Sequence, residues 1–496
     1  MFEKVTPEQV GISSSDIKEY INMLENRHLS THQIMMVRHG KVFYENYWKP
    51  FHKDYLHRMY SVSKSFVAIA IGFLKQEGKI DLDAPAISYL DESITKNANE
   101  YVKNQTIRNM LMMSTGKPTE SISWFSQKPE DRLKHYFDES SRAGTPKIPG
   151  TLFEYDSPGT YVLGSIAEIV SGKPLIEYLR EKCLDKIGFS KEAYFLTCPG
   201  GHSWCDSALL CKASDLAKAV MFMMNGGAWE GEQILDAEYA KEATSNLIDT
   251  NRAGHLLPSA YGYGYQIWRT RDNSFFFNGM GCQFGIAVPD KDIVFVINSD
   301  NQGHAHPHIP IIDGFFEMIA NKASDTPLPE NKKAYDELIK YSESLELFSY
   351  KSNLTKTVAD EVSGKEFIMK ENPMGITKMK FTFEGDEGKL DYSNAQGDKT
   401  IYFGINKNVF ETFPQEGYSD GVATKFAPGN YYKCASSGMW THERNLALLV
   451  QIIDKYFGRL NMRITFTEDG RLAVYMTKIA EDFLQEYEGY AEGVLA

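Results

Sequence analysis

Residues 66–74 read FVAIAIGFL, a run without a single charged side chain. A helix that is apolar on every face has to be covered on every face. This segment therefore demands a core thick enough to surround it. The run is about half the ~20 residues needed to cross a membrane, which leaves the interior of a globular domain as its place. Helical periodicity extends over SKSFVAIAIGFLKQEGKI (63–80), and Gly78 supplies the stop. Ser61 then falls where the first turn of that helix begins.

A chain of 496 residues can build such a core without metals or disulfides, and it is long enough for two domains or more. Residues 10–30 show helical spacing, and QIMMVRHGKVFYENYW (33–48) reads as two strands turning at His39-Gly40. Further helices are predicted over TIRNMLMMSTG (106–116), over YVLGSIAEIVSG (161–172) with LIEYLREKCLDKIG after Pro174, and over SDLAKAVMFMMNGG (214–227). Strand character returns in YGYGYQIWR (261–269), SFFFNGMGCQFGIAVP (274–289) and DIVFVINSD (292–300).

Strands at both ends with helices between them point to an α+β domain. One antiparallel sheet holds both ends, flanked by helices and set beside a helical subdomain. ASDTPLPENKKAYDEL (323–338) is polar, carries Pro327 and Pro329, and reads as a linker leading into a helix. Beyond it, residues 350–480 alternate apolar and polar positions with turn signals at GDEGK and AQGDK, as about five to eight short strands of a barrel or sandwich would. The expected domains are 1–325 and a β-rich 335–496, the latter with Phe410, Tyr431, Tyr432 and Trp440 filling its core.

The 53 basic and 66 acidic residues leave a net charge of −13. That field repels phosphate backbones and argues against nucleic acid as a partner. Cys183, Cys198, Cys205, Cys211, Cys282 and Cys434 show no CxxC pair and no zinc-ribbon spacing, so free thiols of a reducing compartment are expected. The N-terminal MFEKVTPEQVGISSSDIKEYI has no apolar stretch of the signal-peptide type. A cytoplasmic location without a membrane partner follows as an expectation, and the sequence leaves the oligomeric state open.

The chemistry concentrates in Tyr60-Ser61-Val62-Ser63-Lys64. A serine hydroxyl is a weak nucleophile until a base sits beside it. From a helix start, Lys64 lies about one turn along on the face of Ser61. Burial and a positive helix end both disfavour an ammonium, the form of lysine that cannot take up a proton. The helix N-terminus also directs backbone N–H groups toward a developing oxyanion. S-x-x-K alone is a short pattern and recurs at Ser15-Asp16-Ile17-Lys18, ahead of a mixed surface helix. By itself the pattern equally fits an N-cap serine with a surface lysine.

Other constellations are poorer. His304, His306 and His308 alternate but adjoin Pro307 in a loop-like stretch, which argues against a metal strand. No G-x-S-x-G elbow is present. His202 has no recognisable partner in the sequence, and the Cys282 thiol lacks a placed histidine. No metal or organic cofactor is expected.

YSVSKSF with IGFLKQEGKIDLDAPAISYL, TIRNMLMMSTG and GTLFEYDSPGTYVLGSIAEIVSGKPLIEYLREK resembles the class C β-lactamase-like serine hydrolases. Those comprise β-lactamases, DD-peptidases, D-aminopeptidases, EstB-type esterases and 6-aminohexanoate-dimer hydrolases. The likeness runs on through LCKASDLAKAVMFMMNGGAWEGEQIL, YGYGYQIWR and FNGMGCQFGIAVPDKDIVFVINSD, covering about residues 5–320 with the boxes in family order.

The resemblance implies the β-lactamase/transpeptidase-like fold, with Ser61 as nucleophile and Lys64 as its base. The family's Y-x-N box matches Tyr155-Asp156-Ser157, which keeps the tyrosine as proton relay and puts Ser157 in place of asparagine. A literal Tyr392-Ser393-Asn394 falls in the second domain instead. The family's K-T-G or H-x-G box is absent, and the matching strand carries Gly279-Met280-Gly281-Cys282-Gln283. Gly279 and Gly281 would let substrate approach the backbone, and the Cys282 amide would complete an oxyanion hole with that of Ser61. Glycines in such a strand also mark a plain β-bulge.

The expected activity is hydrolysis of an ester or amide of a small molecule or short peptide. The missing cation argues against the alternative of a β-lactamase or DD-peptidase. A non-catalytic ligand-binding protein on the same fold is the further alternative.

Overall fold

The computed structural model describes residues 2–117, 131–138, 145–251, 259–418, 426–480, 484 and 486–496. Strand alternation and turn chemistry build the first sheet. His39 and Gly40 both take left-handed backbone, at φ 52° and 71°, which is what a two-residue hairpin turn requires. Seven strands make up this sheet among the described residues: β1 (Glu3–Lys4), β2 (Thr31–Arg38), β3 (Lys41–Tyr47), β4 (Trp268–Arg269), β5 (Phe275–Gly279), β6 (Gln283–Val288) and β7 (Ile293–Ser299). Their order is β1-β3-β2-β7-β6-β5-β4, antiparallel except for the β1–β3 pair. Both ends of the domain thus meet in the sheet centre, where β2 pairs with β7 from Ile293↔Arg38 onward.

The two faces are covered by helices of opposite provenance. On one face lie α1 (Ser14–Asn26) and, later in the chain, a helix over His308–Met318. Ile17, Tyr20, Ile21 and Leu24 of α1 recur at helical spacing and are fully buried. Phe295 of β7 stacks on Phe315 at 4.4 Å and meets Tyr20 edge-on at 5.9 Å. Ala213–Met224 covers the other face. Also against the sheet, where Phe66 meets Phe277 of β5 edge-on at 6.4 Å, stands α2 (Ser63–Gln76), every residue of which from Ser63 to Leu74 is buried. It packs on α3 (Ser157–Ser171). Each fully buried apolar side chain contributes roughly 1.5–3 kcal/mol, so these two helices anchor the helical subdomain.

Two predicted elements are shorter than their patterns. The 106–116 helix spans only Ile107–Leu111, capped by Thr106 and ended where Met113 turns left-handed at φ 55°. Within 261–269 only Trp268 and Arg269 pair as a strand, because Gly262 (φ 105°) and Gln266 (φ 55°) bend the chain away.

The chain divides into two compact units at Glu346/Leu347. That lies beyond the polar segment at 323–338, because the helix Lys332–Glu343 belongs with the first unit. Its Leu338 is fully buried in the core that holds α1, and Tyr44 and Ser342 share a hydrogen bond of 2.9 Å.

The second unit contains ten described strands between Glu366 and Leu495. Neighbours pair antiparallel, and Gly404–Ile405 of one edge strand pair with Ser437–Gly438, closing the sheet into a barrel. Trp440 and Tyr432 point into its core as expected. Phe410 and Tyr431 do not. They are 48% and 45% exposed, since strand alternation sends them outward. Among the described residues no helix is long and apolar enough to cross a membrane.

Candidate active site

Ser61 enters the central helix through a 3₁₀ turn, Tyr60–Val62, that runs straight into α2. Tyr60 carries φ 48°, a conformation that costs a bulky residue about 1–3 kcal/mol. Its surroundings hold it there. The Arg58 guanidinium lies 4.4 Å from the Tyr60 ring. The Met59 amide donates to Leu209 O at 2.8 Å, and the Leu209 amide donates to Ser63 Oγ at 3.0 Å. The chain is thus clamped on both sides of Ser61.

Lys64 is buried, 1% exposed. Its Nζ donates to Ser61 Oγ at 3.1 Å and to the Asp206 carbonyl at 2.5 Å. It also stands 5.3 Å from the centroid of the half-buried Tyr155 ring, which stacks on Trp268 at 5.8 Å. Serine, lysine and tyrosine named from the sequence therefore converge.

The neighbours of Tyr155 in the chain hold it in place. Asp156 caps α3, one carboxylate oxygen accepting from Gly159 N at 3.0 Å. The other accepts from Thr115 Oγ1 at 2.9 Å and Tyr136 OH at 3.0 Å. Ser157 is the buried first residue of α3.

The turn between β5 and β6 forms the sheet-side wall. A Cβ on Gly279 would sit 2.3 Å from the Met59 carbonyl, so only glycine lets β5 lie against the chain that carries Ser61. Gly281 and Cys282 take φ 78° and 71°. A buried amide ladder fixes this turn. Gln33 Nε2 donates to Asn298 Oδ1 (2.7 Å), and Asn298 Nδ2 donates to Gln283 Oε1 (3.1 Å). Gln283 Nε2 donates to the carbonyls of Met280 (2.9 Å) and Ser299 (2.6 Å). The Cys282 thiol is buried, and burial pushes it well up from the ordinary thiol range. Beside the turn opens a cavity of about 340 Å³ lined by Phe276, Phe284, Asn278, Met280 and His308 among others.

The remaining sequence candidates lie apart. Lys18 pairs with Glu337 on the surface of α1. Tyr392 OH meets Tyr487 OH at 2.6 Å inside the barrel. His202 Nδ1 bonds Glu168 at 2.8 Å, tying its loop to α3. His306 (φ 50°) and His308 lie at a turn and helix start, and among the described residues no group of three potential ligands is placed for a metal.

The sequence reading missed several residues that hold the site. Asp206 lies 142 positions from the lysine it contacts, and Trp268 reaches Tyr155 only through the fold. Gln266 latches three helices, accepting from Ser65 Oγ (2.8 Å) on α2 and Thr160 Oγ1 (2.7 Å) on α3 while donating to Met110 O (2.9 Å). No local pattern marks any of them.

A helical subdomain against an antiparallel sheet, with a half-buried serine bonded to a buried lysine at their junction, is the arrangement of the β-lactamase/transpeptidase-like fold. Residues 18–309 match the family model described as Beta-lactamase, and the chain belongs to that family. It is similar to the 6-aminohexanoate-dimer hydrolase of Paenarthrobacter ureafaciens, 23% identical over 270 residues that make up 51% of this chain and 67% of that protein.

Among solved structures, a Bacillus anthracis protein provisionally named 6-aminohexanoate-dimer hydrolase superposes with a TM-score of 0.54 at 20% identity, covering 66% of this chain and 89% of its own. A provisionally named β-lactamase from Bacteroides dorei gives 0.50 at 16% identity, covering 62% and 98%.

Proposed function

We propose that the protein hydrolyses an ester or amide of a small molecule or short peptide through an acyl-enzyme on Ser61. The observation that carries this reading is the 3.1 Å contact between a buried amine and a half-buried hydroxyl. Ser61 Oγ attacks the carbonyl carbon while its proton passes to Lys64 Nζ. The tetrahedral oxyanion is held by the Ser61 amide and by an amide of the Met280–Cys282 turn, Cys282 being the sequence candidate. Met280 directly follows Gly279, which abuts Met59, and its amide is the second candidate. Tyr155 relays the proton to the departing alcohol or amine. Water then attacks the acyl carbonyl, returning a proton through Lys64 to Ser61.

The turn Asn278–Gln283 contains no cation, and nearby His308 is held below its ordinary range by burial. Both favour substrates without a carboxylate at this wall. They weigh against the β-lactamase or DD-peptidase reading.

The test is a panel of p-nitrophenyl esters, D-amino-acid anilides, the linear 6-aminohexanoate dimer and nitrocefin, with wild type and Ser61→Ala. Turnover of an uncharged ester or amide that vanishes in Ser61→Ala, with fluorophosphonate labelling lost as well, supports the proposal. Labelling that persists sinks it, and nitrocefin turnover alone selects the β-lactamase reading. No turnover of any panel member by the wild type would favour a binding protein.

A further inference from the structure

Behind the Lys64 amine lies a charged cluster that the proposed steps do not use. Asp206 is fully buried, and neither carboxylate oxygen meets a hydrogen-bond partner from another residue. Its main-chain carbonyl accepts from Lys64 Nζ at 2.5 Å. Three basic side chains act on the carboxylate through their fields, Lys64 of α2, Arg132 of the helix Arg132–Phe137, and Arg58 of the strand leading to Ser61. Arg58 and Arg132 are themselves buried and flank the Trp204 indole at 4.7 and 5.1 Å. Among the described residues, other titratable groups around this pocket include Tyr155 over the Lys64 amine, Tyr161, the Cys198 and Cys205 thiols and, beyond them, Glu168 of α3 with His202.

We infer that the Asp206 carboxylate is a positioning residue that governs the charge on Lys64 and so sets the pH at which Ser61 becomes a nucleophile. Two effects compete. In a dry site a carboxylate acts on a neighbouring amine through an effective dielectric far below that of water, so an ionised Asp206 favours the ammonium. Arg58 and Arg132 oppose it by repelling a third cation. Burial pushes the Asp206 carboxyl up from its usual range, while Lys64 and the two guanidiniums pull it down. The carboxylate and the amine therefore each stand in the other's field.

A buried carboxylate whose oxygens meet no hydrogen-bond donor from another residue is costly, which makes a purely structural role a poor account of it. The inference rests on the serine–lysine reading above.

Asp206→Asn keeps the carbonyl that accepts from Lys64 and removes only the charge. With that anion gone, the lysine sheds its proton more readily. The acid limb of kcat/KM for an uncharged p-nitrophenyl ester should move to lower pH by about one unit or more, with KM altered less than about twofold. Asp206→Ser, a smaller neutral replacement, should shift it the same way and serves if the asparagine variant does not fold. Asp206→Glu should return the limb toward its wild-type position.

An acid limb unmoved in both neutral variants, or moved upward, overturns the inference even where Ser61→Ala is inactive. Persistent labelling of Ser61→Ala instead defeats the serine–lysine reading itself.

Discussion

The Lys64 amine and the Ser61 hydroxyl are 3.1 Å apart because a 3₁₀ turn feeds the serine into α2 three residues ahead of the lysine. In that geometry the two side chains share one face. The left-handed Tyr60 sets the entry angle, and the bonds from Met59 to Leu209 and from Leu209 to Ser63 keep it.

Lys64→Met should lower kcat by about 10³-fold or more, since nucleophile and base act as one unit. Steady-state kinetics on the best panel ester measures it. A variant retaining a tenth of wild-type kcat would assign the base elsewhere.

Tyr155→Phe keeps the ring that stacks on Trp268 and deletes only the hydroxyl. A proton relay contributes about 10²–10⁴-fold, so kcat should drop by that factor while the urea midpoint stays put. Unchanged kcat would reduce Tyr155 to a wall of the site.

Gly164 lies where α3 meets the segment carrying Asp206, and a Cβ there would come within 2.0 Å of Cys205 Sγ. Overpacking of this kind costs about 1–3 kcal/mol. Gly164→Ala should lower stability to urea by that amount, and adding Cys205→Ala should restore part of it. Additive losses in the double variant would contradict the contact.

His57 is fully buried, its Nδ1–H donating to Arg58 O at 2.9 Å and its Nε2 accepting from His32 Nδ1 at 2.9 Å. Burial drops its pKa from 6.5 to about 3. Above pH 6.5 the ring is neutral both folded and unfolded, so its contribution is fully present. As pH falls toward 3 only the unfolded chain takes up the proton, and of order 4 kcal/mol is lost. Urea unfolding of His57→Gln should show a flatter loss of stability between pH 6.5 and 4.5 than wild type. Parallel curves would mean that His57 is protonated in the folded protein.

Much of this architecture could be read in advance where local chemistry is decisive. His39-Gly40 announces its hairpin because few residues tolerate left-handed backbone. FVAIAIGFL announces the buried helix because no face of it can meet water. Reading failed where tertiary contacts override local preference. The pattern at 261–269 looks like a strand throughout, but Gln266 turns aside to bond three helices. Phe410 and Tyr431 are aromatic strand residues, yet register turns them to solvent.

The candidate site divides the same way. Ser61 and Lys64 sit three residues apart, so helix geometry alone puts them on one face, and the sequence was enough to name them. The β-rich second domain was likewise written into alternation and turns, although it holds ten described strands where about five to eight were expected, and its closure into a barrel rather than a sandwich came only with the fold. The surroundings of the lysine were decided only by the folded chain. Asp206, Trp268 and Gly279 come from separate segments and meet around the serine–lysine pair only in the folded chain, where what they do depends on distance and dryness. Neither quantity exists until the helices and sheet have packed and excluded water.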